Sequence, residues 1–181
     1  TGGLVPHAEV LVSTIRALKY QSGRFPMKPG QPTPADLLRE DLDALDAGAV
    51  NLAAHLDLLR GFGIPAVVAV NRFPTDSDRE LERVCQLARE FGAAGVAITD
   101  AFCAGGSGAA ELASAVASVC REGREQVYTY PLEMPLEDKL TEVVRKVYGG
   151  DGLQLEPLAR QKLKTFERWG FGRLPVCIAK T

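Results

Sequence analysis

The hydrophobic pattern of the chain is most distinct at residues 65–70, an unbroken run of small and β-branched residues that is followed at once by the polar segment 71–76. Such a run is typical of a strand buried on both faces of a parallel sheet. Ligands of open α/β sheets bind beyond the carboxyl ends of the strands. A binding site is therefore expected just after Val70.

The surrounding pattern predicts further strands and helices. Residues 10–12, extending towards Ile15, and residues 95–99 have strand patterns. Helix is the competing prediction directly after the first of these strands, where alanine, leucine and lysine favour it. Leucines spaced three and four residues apart predict a helical stretch that begins at Ala35, and Gly48 would divide it in two.

The segment after the central strand predicts the start of another helix. Thr75 is the expected N-cap, with Asp78 three residues later as a variant of the capping box. Gly92 would end this helix, and the segment 100–108 leads from the next strand into a third helix. Strict alternation of this kind predicts an α/β fold with a doubly wound, mostly parallel sheet.

The last third of the chain predicts two helices and a final strand, over 136–147, 157–169 and 174–179. We therefore predict an α/β core over 1–124 and a helical extension over 125–181 that ends in a strand. Prolines and glycines cluster before Ala35, and they predict a surface loop over 24–34.

Charge and length exclude several classes of protein. The net charge of the 181 residues is −2, and lysine and arginine form no basic stripe of the kind that nucleic acid requires. No apolar run approaches the roughly 20 residues that span a bilayer, and no signal peptide opens the chain. These features predict a cytoplasmic protein without nucleic-acid or membrane partners. The chain has no initiator methionine, and we expect it to be an excerpt of a longer protein.

The four cysteines do not suggest a metal site. They are far apart, form no CxxC pair and have no histidine at ligand spacing, so that no metal is predicted. Three of them lie in apolar patterns and are expected to be core thiols in a reducing compartment.

Two phenylalanines follow buried strands at similar positions, Phe73 after residues 65–70 and Phe102 after residues 95–99. Neighbouring strands are about 4.8 Å apart, whereas a flat ring held between two aromatic faces needs about 7 Å, twice the optimal carbon–carbon separation. Modest splaying of the two loops would open such a slot for a planar heterocycle. Alternatively, both rings fold back over the end of the sheet as caps.

The glycines after Phe102 have two interpretations. Gly105, Gly106 and Gly108 precede a predicted helix and could present backbone N–H groups to an anion. Alternatively, they form a tight turn that needs left-handed dihedral angles. The chain contains neither a GxxxxGK[ST] P-loop nor a GxGxxG motif.

Three polar or rigid residues flank the first aromatic position, namely Asn71, Arg72 and Pro74. Arg72 could pair with a ligand carboxylate in bidentate fashion, or it could form a surface salt bridge. Asn71–Pro74 is also reminiscent of the Asn-Lys-x-Asp loop with which GTPases read guanine, but Pro74 stands where the base-reading Asp would be.

Several strings along the chain resemble the formate–tetrahydrofolate ligase family. They are Gly-Leu-Val-Pro-His at 3–7, Thr-Ile-Arg-Ala-Leu-Lys at 14–19, Val-Asn-Arg-Phe-Pro-Thr-Asp at 70–76 and the closing Gly-Phe-Gly-Arg-Leu-Pro-Val-Cys-Ile-Ala-Lys-Thr at 170–181. The resemblance extends over nearly the whole chain, and the third and last strings are the specific ones. It implies an incomplete P-loop NTPase-like sheet within a larger enzyme.

The family resemblance also implies a function. Such an enzyme uses ATP with Mg²⁺ to activate formate as formyl phosphate and transfers the formyl group to tetrahydrofolate, in one-carbon metabolism. ATP and tetrahydrofolate are substrates, no tightly bound cofactor is expected, and the parent enzyme is a possible homo-oligomer. The pterin would lie between Phe73 and Phe102, with Asn71, Arg72 and Pro74 beside it. Because the family's P-loop would precede Thr1, we expect no ligase activity from the chain alone.

The chain departs from the family pattern in two places. Phe102-Cys103-Ala104-Gly105-Gly106 stands where a tryptophan and a lysine usually precede the glycine pair, and Tyr20-Gln21-Ser22-Gly23 replaces the usual Met-His-Gly-Gly. The alternative function is a non-catalytic folate-binding or assembly module derived from the family. A plain α/β domain with aromatic caps is the third interpretation, and it predicts no folate binding.

Overall fold

The computed structural model describes residues 4–27, 30, 32–121 and 127–179. These residues form two compact units, Pro6–Glu125 and Gln126–Thr181 with Thr1–Val5. Parts of three predicted features lie outside the described residues: Gly3 of the opening string, residues 28, 29 and 31 of the Pro-rich loop, and residues 180–181 of the closing string.

The first unit is built on a three-stranded parallel sheet. Its strands are β1, Glu9–Ser13, β2, Ala66–Asn71, and β3, Gly95–Thr99, in the order β1-β2-β3. Val10 pairs with Val67, and Val67 pairs with Gly95, so that the strands run in register with their carboxyl ends at one edge. The predicted α/β class with a parallel sheet is confirmed, whereas the P-loop NTPase-like assignment stays a prediction.

The helices of this unit alternate with the strands as expected. They are α1, Ile15–Gln21, α2, Leu42–Gly48, α3, Val50–Gly61, α4, Asp78–Glu90, α5, Ala101–Ala104, and α6, Ala110–Val119, with 3₁₀ turns at Ala35–Leu38 and Gly105–Ala109. The helical alternative after β1 is therefore correct. The predicted helical stretch from Ala35 is wrong at its start, because Ala35–Leu38 is a 3₁₀ turn and extended residues at 39 and 41 precede α2. The predicted division at Gly48 is confirmed, and a Cβ atom there would collide with the Leu18 carbonyl.

Helices cover both faces of β2. Val68 and Val70 belong to a buried cluster with side chains of α1 to α4, including Leu45 and Leu81. Val67 points to the opposite face, because successive strand residues alternate. There a Cβ built on Gly95 would be in ordinary contact with both Val67 and Ala115 of α6. This two-sided burial explains why β2 is an unbroken apolar run.

The predicted N-cap of α4 is wrong by two residues. Ser77, not Thr75, accepts a hydrogen bond from the Glu80 N–H at 3.2 Å, and the Glu80 carboxylate accepts one from the Ser77 N–H at 3.4 Å. This is a complete capping box. Thr75 is unsuited to the role because residues 73–76 form a turn of their own.

The second unit contains α7, Leu136–Tyr148, α8, Pro157–Arg168, and a 3₁₀ turn at Phe171–Arg173. Both helices were predicted, but residues 174–179 do not form the expected strand. Instead, side chains bind this segment. The Tyr130 hydroxyl bonds to both the N–H and the C=O of Val176, at 2.7 and 3.2 Å, and buried Lys139 donates to the Leu174 carbonyl at 3.1 Å.

Within the described ranges, no helix is long and apolar enough to cross a membrane. Of the three cysteines expected in the core, Cys85 is buried, Cys120 is partly buried and Cys177 is exposed. The exposure of Cys177 follows from the missing strand, since the irregular segment does not turn that side chain into a sheet core.

Candidate functional site

The segments that follow the three strands meet at the carboxyl edge of the parallel sheet. Thr14 follows β1, Arg72 follows β2 and Asp100 follows β3. The Arg72 N–H donates to the Thr99 carbonyl at 3.0 Å, so the β2 and β3 loops leave the sheet side by side. This edge is where α/β folds bind ligands.

Phe73 is fixed by a tight turn. The Asp76 N–H donates to the Phe73 carbonyl at 3.0 Å, and the Phe73 N–H donates to the Asp76 carboxylate at 2.8 Å. The two bonds tie both ends of the four-residue turn together. Burial raises the pKa of the Asp76 carboxyl above its ordinary value. The hydrogen bond from the Phe73 N–H and the charges of Arg16 and Lys19 act in the opposite direction on this pKa, because they favour the ionised form.

The Phe73 ring has a cation on one face. The Arg16 guanidinium carbon lies 3.7 Å from the ring centroid, within the range of a cation–π contact. Both side chains line a cavity of about 300 Å³. Its other walls come from the N-cap of α1, from α1 itself and from the segment that follows it: Thr14, Ala17, Tyr20, Met27, Thr33 and Leu37. Phe73 is therefore a partly buried ring with one face already in contact.

A buried ion pair lies beneath this turn. Lys19 Nζ donates to Glu80 Oε1 at 2.7 Å and to the Arg39 carbonyl at 2.8 Å, and both charged side chains are almost wholly buried. Glu80 Oε1 also accepts from the Asp41 N–H at 3.1 Å. Buried charges of this kind depend on having all their partners. The pair joins α1 to the start of α4, the helix that directly follows the Phe73 turn.

Phe102 lies in quite different surroundings. It is the second residue of the one-turn helix α5, and 93% of its surface is exposed. The structure therefore does not fold this ring back over the sheet. Neighbouring Cys103 is also exposed, and a hydrogen bond to the Asp100 carboxylate raises the pKa of the Cys103 thiol, which disfavours the reactive thiolate form.

The glycines after α5 have separate structural roles. Gly105 has φ of +58°, a conformation that other residues rarely adopt. Gly108 lies so close to the Asp100 carbonyl that a Cβ atom would collide with it, and its own carbonyl accepts from the Asp100 N–H at 3.0 Å. Gly106 has open space around it and an ordinary φ. A left-handed dihedral angle, the reason given by the turn interpretation, applies to Gly105 alone; Gly108 is required by its close approach to Asp100, and neither reason applies to Gly106.

The remaining predicted residues lie at the same edge. Asn71 ends β2 and is partly buried, whereas Arg72 and Pro74 are exposed. Arg72 forms a salt bridge with Asp78 at 2.9 Å, the second of its two predicted roles. The described residues contain no group of three side chains that could hold a metal ion.

Sequence reasoning missed the partners of Phe73. In the sequence, Asp76 is only the last residue of the polar segment 71–76, and Arg16 and Lys19 are only members of the string at 14–19. Their spacing of three residues places Arg16 and Lys19 on one side of α1, which was the available signal. The helical assignment had to be made before that signal could be used.

A second cavity, of about 320 Å³, lies at the opposite edge of the sheet. Residues next to the amino-terminal ends of β2 and β3 line it, including Pro65, Ala66 and Ala94. Because parallel sheets bind ligands at the carboxyl edge, this cavity is not the candidate site.

The fold thus defines a parallel α/β unit with two aromatic loops at the carboxyl edge of its sheet. The sequence places this unit more narrowly: a family model described as Formate--tetrahydrofolate ligase matches residues 1–181. The chain belongs to the formate–tetrahydrofolate ligase family.

Individual relatives agree. The chain is 47% identical to a formate–tetrahydrofolate ligase of Aeromonas hydrophila, over 99% of this chain and 31% of the relative. It is 45% identical to the same enzyme of Chloroflexus aggregans, over 99% and 32%. It is also 42% identical to the mitochondrial C-1-tetrahydrofolate synthase of Saccharomyces cerevisiae, over 100% of this chain and 19% of that protein. The chain spans about a third or less of the length of these relatives.

Proposed function

We propose that the chain supplies the tetrahydrofolate side of a formate–tetrahydrofolate ligase, with the pterin ring held between Phe73 and Phe102. Family membership supports the substrate class, because the relatives are named for the ligation of formate to tetrahydrofolate. The order β1-β2-β3 supports the arrangement, since the loops that carry the two phenylalanines follow neighbouring strands.

The observation that carries this proposal is the exposure of Phe102, at 93% of its surface. Burying a phenylalanine side chain contributes about 1.5–3 kcal/mol, and Phe102 gains almost none of this in the unliganded chain. Stacking on a planar ring recovers part of that energy and adds about 1 kcal/mol of aromatic contact. A pterin is a ring system of suitable size and flatness.

The other predicted residues surround this slot. Asn71, Arg72 and Pro74 flank Phe73, and the Arg72 guanidinium is near enough to the loop to exchange its exposed partner Asp78 for a ligand group. Gly105, Gly106 and Gly108 follow Phe102. Of these, Gly106 is the best candidate for a backbone contact with an anion, because neither its dihedral angles nor its packing require glycine.

The proposal extends to the whole enzyme as follows. A P-loop NTPase-like sheet, of which this chain forms part, binds ATP with Mg²⁺ and activates formate in the cytoplasm, in one-carbon metabolism. The reaction's partners are small molecules. Phosphoryl transfer depends on a phosphate-binding cradle, and the 181 residues contain no P-loop motif. We therefore expect the isolated chain to show no ATP- and formate-dependent formylation of tetrahydrofolate.

Calorimetric titration with tetrahydrofolate under anaerobic conditions tests the pocket. Wild type, Phe73→Ala and Phe102→Ala are compared with Tyr128→Ala, which removes a ring that is 73% exposed in the other unit. Saturable binding that both phenylalanine variants weaken about fivefold or more, and that Tyr128→Ala leaves unchanged, is the expected result. A well-folded wild type without measurable binding, or equal binding by all four proteins, would reject the aromatic slot.

A further inference from the structure

We propose that Asp76 and Arg16 are positioning residues that hold the Phe73 ring with one face free for a ligand. The inference rests on the proposed function in that the ligand is the pterin. It concerns two residues outside the predicted slot, and it follows from contacts within the unliganded chain.

The backbone of Phe73 is set by Asp76. The carboxylate accepts the Phe73 N–H at 2.8 Å, and the Asp76 N–H returns a bond to the Phe73 carbonyl at 3.0 Å. Only 9% of the surface of Asp76 is exposed, and the next residue in the chain is Ser77, the N-cap of α4. Because a buried acceptor has few alternative partners, the turn has one favoured geometry.

The ring of Phe73 is set by Arg16. The guanidinium lies 3.7 Å from the ring centroid, and it reaches the ring from α1, which follows β1. Since β1 and β3 flank β2 on opposite sides, Arg16 reaches the ring from the side of β1. We assign the opposite face to a ligand that also reaches Phe102, beyond β3.

The buried Lys19–Glu80 ion pair, with Nζ and Oε1 2.7 Å apart, supports these contacts. Lys19 follows Arg16 by one turn of α1, and Glu80 lies in the first turn of α4, four residues after Asp76. The pair therefore joins α1, which carries Arg16, to the first turn of α4, which directly follows the turn that contains Asp76. A ligand ring then binds to a Phe73 ring that is already held in place, and this reduces the conformational entropy that is lost on binding.

The first test needs no ligand. Backbone amide exchange and chemical shift of Phe73 are measured by NMR in the wild type, Asp76→Asn, Asp76→Ala and the control Asp43→Ala, which removes an exposed carboxylate. Loss of the acceptor in Asp76→Ala should accelerate exchange of the Phe73 amide about fivefold or more. Asp76→Asn retains an oxygen acceptor and should remain close to wild type. An unchanged Phe73 amide in Asp76→Ala would overturn the role of Asp76.

The second test measures tetrahydrofolate binding by the same proteins, with Arg16→Met and an exposed-arginine control, Arg39→Ala. We expect the dissociation constant to rise about threefold to tenfold in Asp76→Ala and Arg16→Met, with thermal unfolding changed far less. Asp76→Asn and both controls should bind as wild type does.

The two tests separate the possible failures. If the wild type binds no tetrahydrofolate while the Phe73 amide depends on Asp76, the proposed function fails in this chain and the positioning of Phe73 stands. If the wild type binds but Asp76→Ala and Arg16→Met bind equally well, the positioning proposal is overturned and the aromatic slot stands. Should Asp76→Ala fail to fold, the comparison of Arg16→Met with Arg39→Ala decides the question alone.

Discussion

The loops after β2 and β3 carry the same aromatic residue in opposite states. Phe73 is tied by the Asp76 carboxylate and covered on one face by Arg16, whereas Phe102 stands on a one-turn helix with 93% of its surface exposed. One ring is held by the protein before any ligand arrives, and the other has little to hold it. The comparison teaches that a shared position after a strand does not give a shared environment. The neighbours supplied by α1 and by the turn before α4 make the difference.

The largest expected effect comes from breaking the support beneath Phe73. Lys19→Met leaves Glu80 charged and buried, and it should reduce the free energy of unfolding by about 3 kcal/mol. Urea denaturation measures this, with Arg39→Met as a control that breaks only an exposed pair with Asp36 and should cost under about 0.5 kcal/mol. Adding Glu80→Gln to Lys19→Met should recover part of the loss. Equal stability of Lys19→Met and wild type would contradict this role of the pair.

A smaller effect is expected in the loop of Phe102. Gly108→Ala places a Cβ atom against the Asp100 carbonyl and should cost about 1–3 kcal/mol. Gly106→Ala meets open space and should stay within about 0.5 kcal/mol of wild type. The same denaturation experiment compares them, and similar losses in both variants would contradict the separate roles assigned to these glycines.

Removing each ring separately compares the contribution of Phe73 to stability with that of Phe102. Phe73→Ala loses partly buried surface and the Arg16 contact, and it should destabilise the chain by about 1–2 kcal/mol. Phe102→Ala loses a ring that contacts little, so its stability should stay within about 0.5 kcal/mol of wild type. Thermal unfolding of the unliganded proteins provides the measurement. A larger loss in Phe102→Ala than in Phe73→Ala would reverse our assignment of the two environments.

The smallest expected effect is the pH dependence that Asp76 contributes. Because burial raises the pKa of this carboxyl in the folded chain, the folded state holds the proton more tightly than the unfolded state does. The associated stability is present below the unfolded pKa and is lost as the pH rises through the folded pKa. Asp76→Asn should therefore gain stability relative to wild type between acidic and neutral pH. Denaturation at a series of pH values tests the sign, and a relative loss would contradict it.

The sequence predicted the parts of this site that depend on strong local patterns. The apolar run predicted that β2 is buried on both faces. The alternation of strands and helices predicted the parallel sheet and the edge at which the loops meet. The helix α4 was predicted, but its start was not. Thr75 and Ser77 are both suitable N-caps, and the choice depends on the Phe73–Asp76 turn, a contact between side chain and backbone that residue spacing does not specify.

Other features depended on tertiary contacts that no local pattern reveals. The partnership of Arg16 with Phe73 joins residues far apart in the chain, and it required α1 to be a helix rather than the end of a strand. Residues 174–179 have the apolar pattern of a strand, yet Tyr130 and Lys139 bind their backbone. In this segment, hydrogen bonds between these two side chains and the backbone take the place of pairing with a neighbouring strand.

The most direct test of the account is an isotope-filtered NMR experiment on the chain labelled at phenylalanine, with tetrahydrofolate added under anaerobic conditions. We expect nuclear Overhauser contacts from the pterin protons to both Phe73 and Phe102, identified by their loss in the corresponding alanine variants. A bound pterin that contacts neither ring, or only one of them, would contradict the shared slot at the carboxyl edge of the sheet.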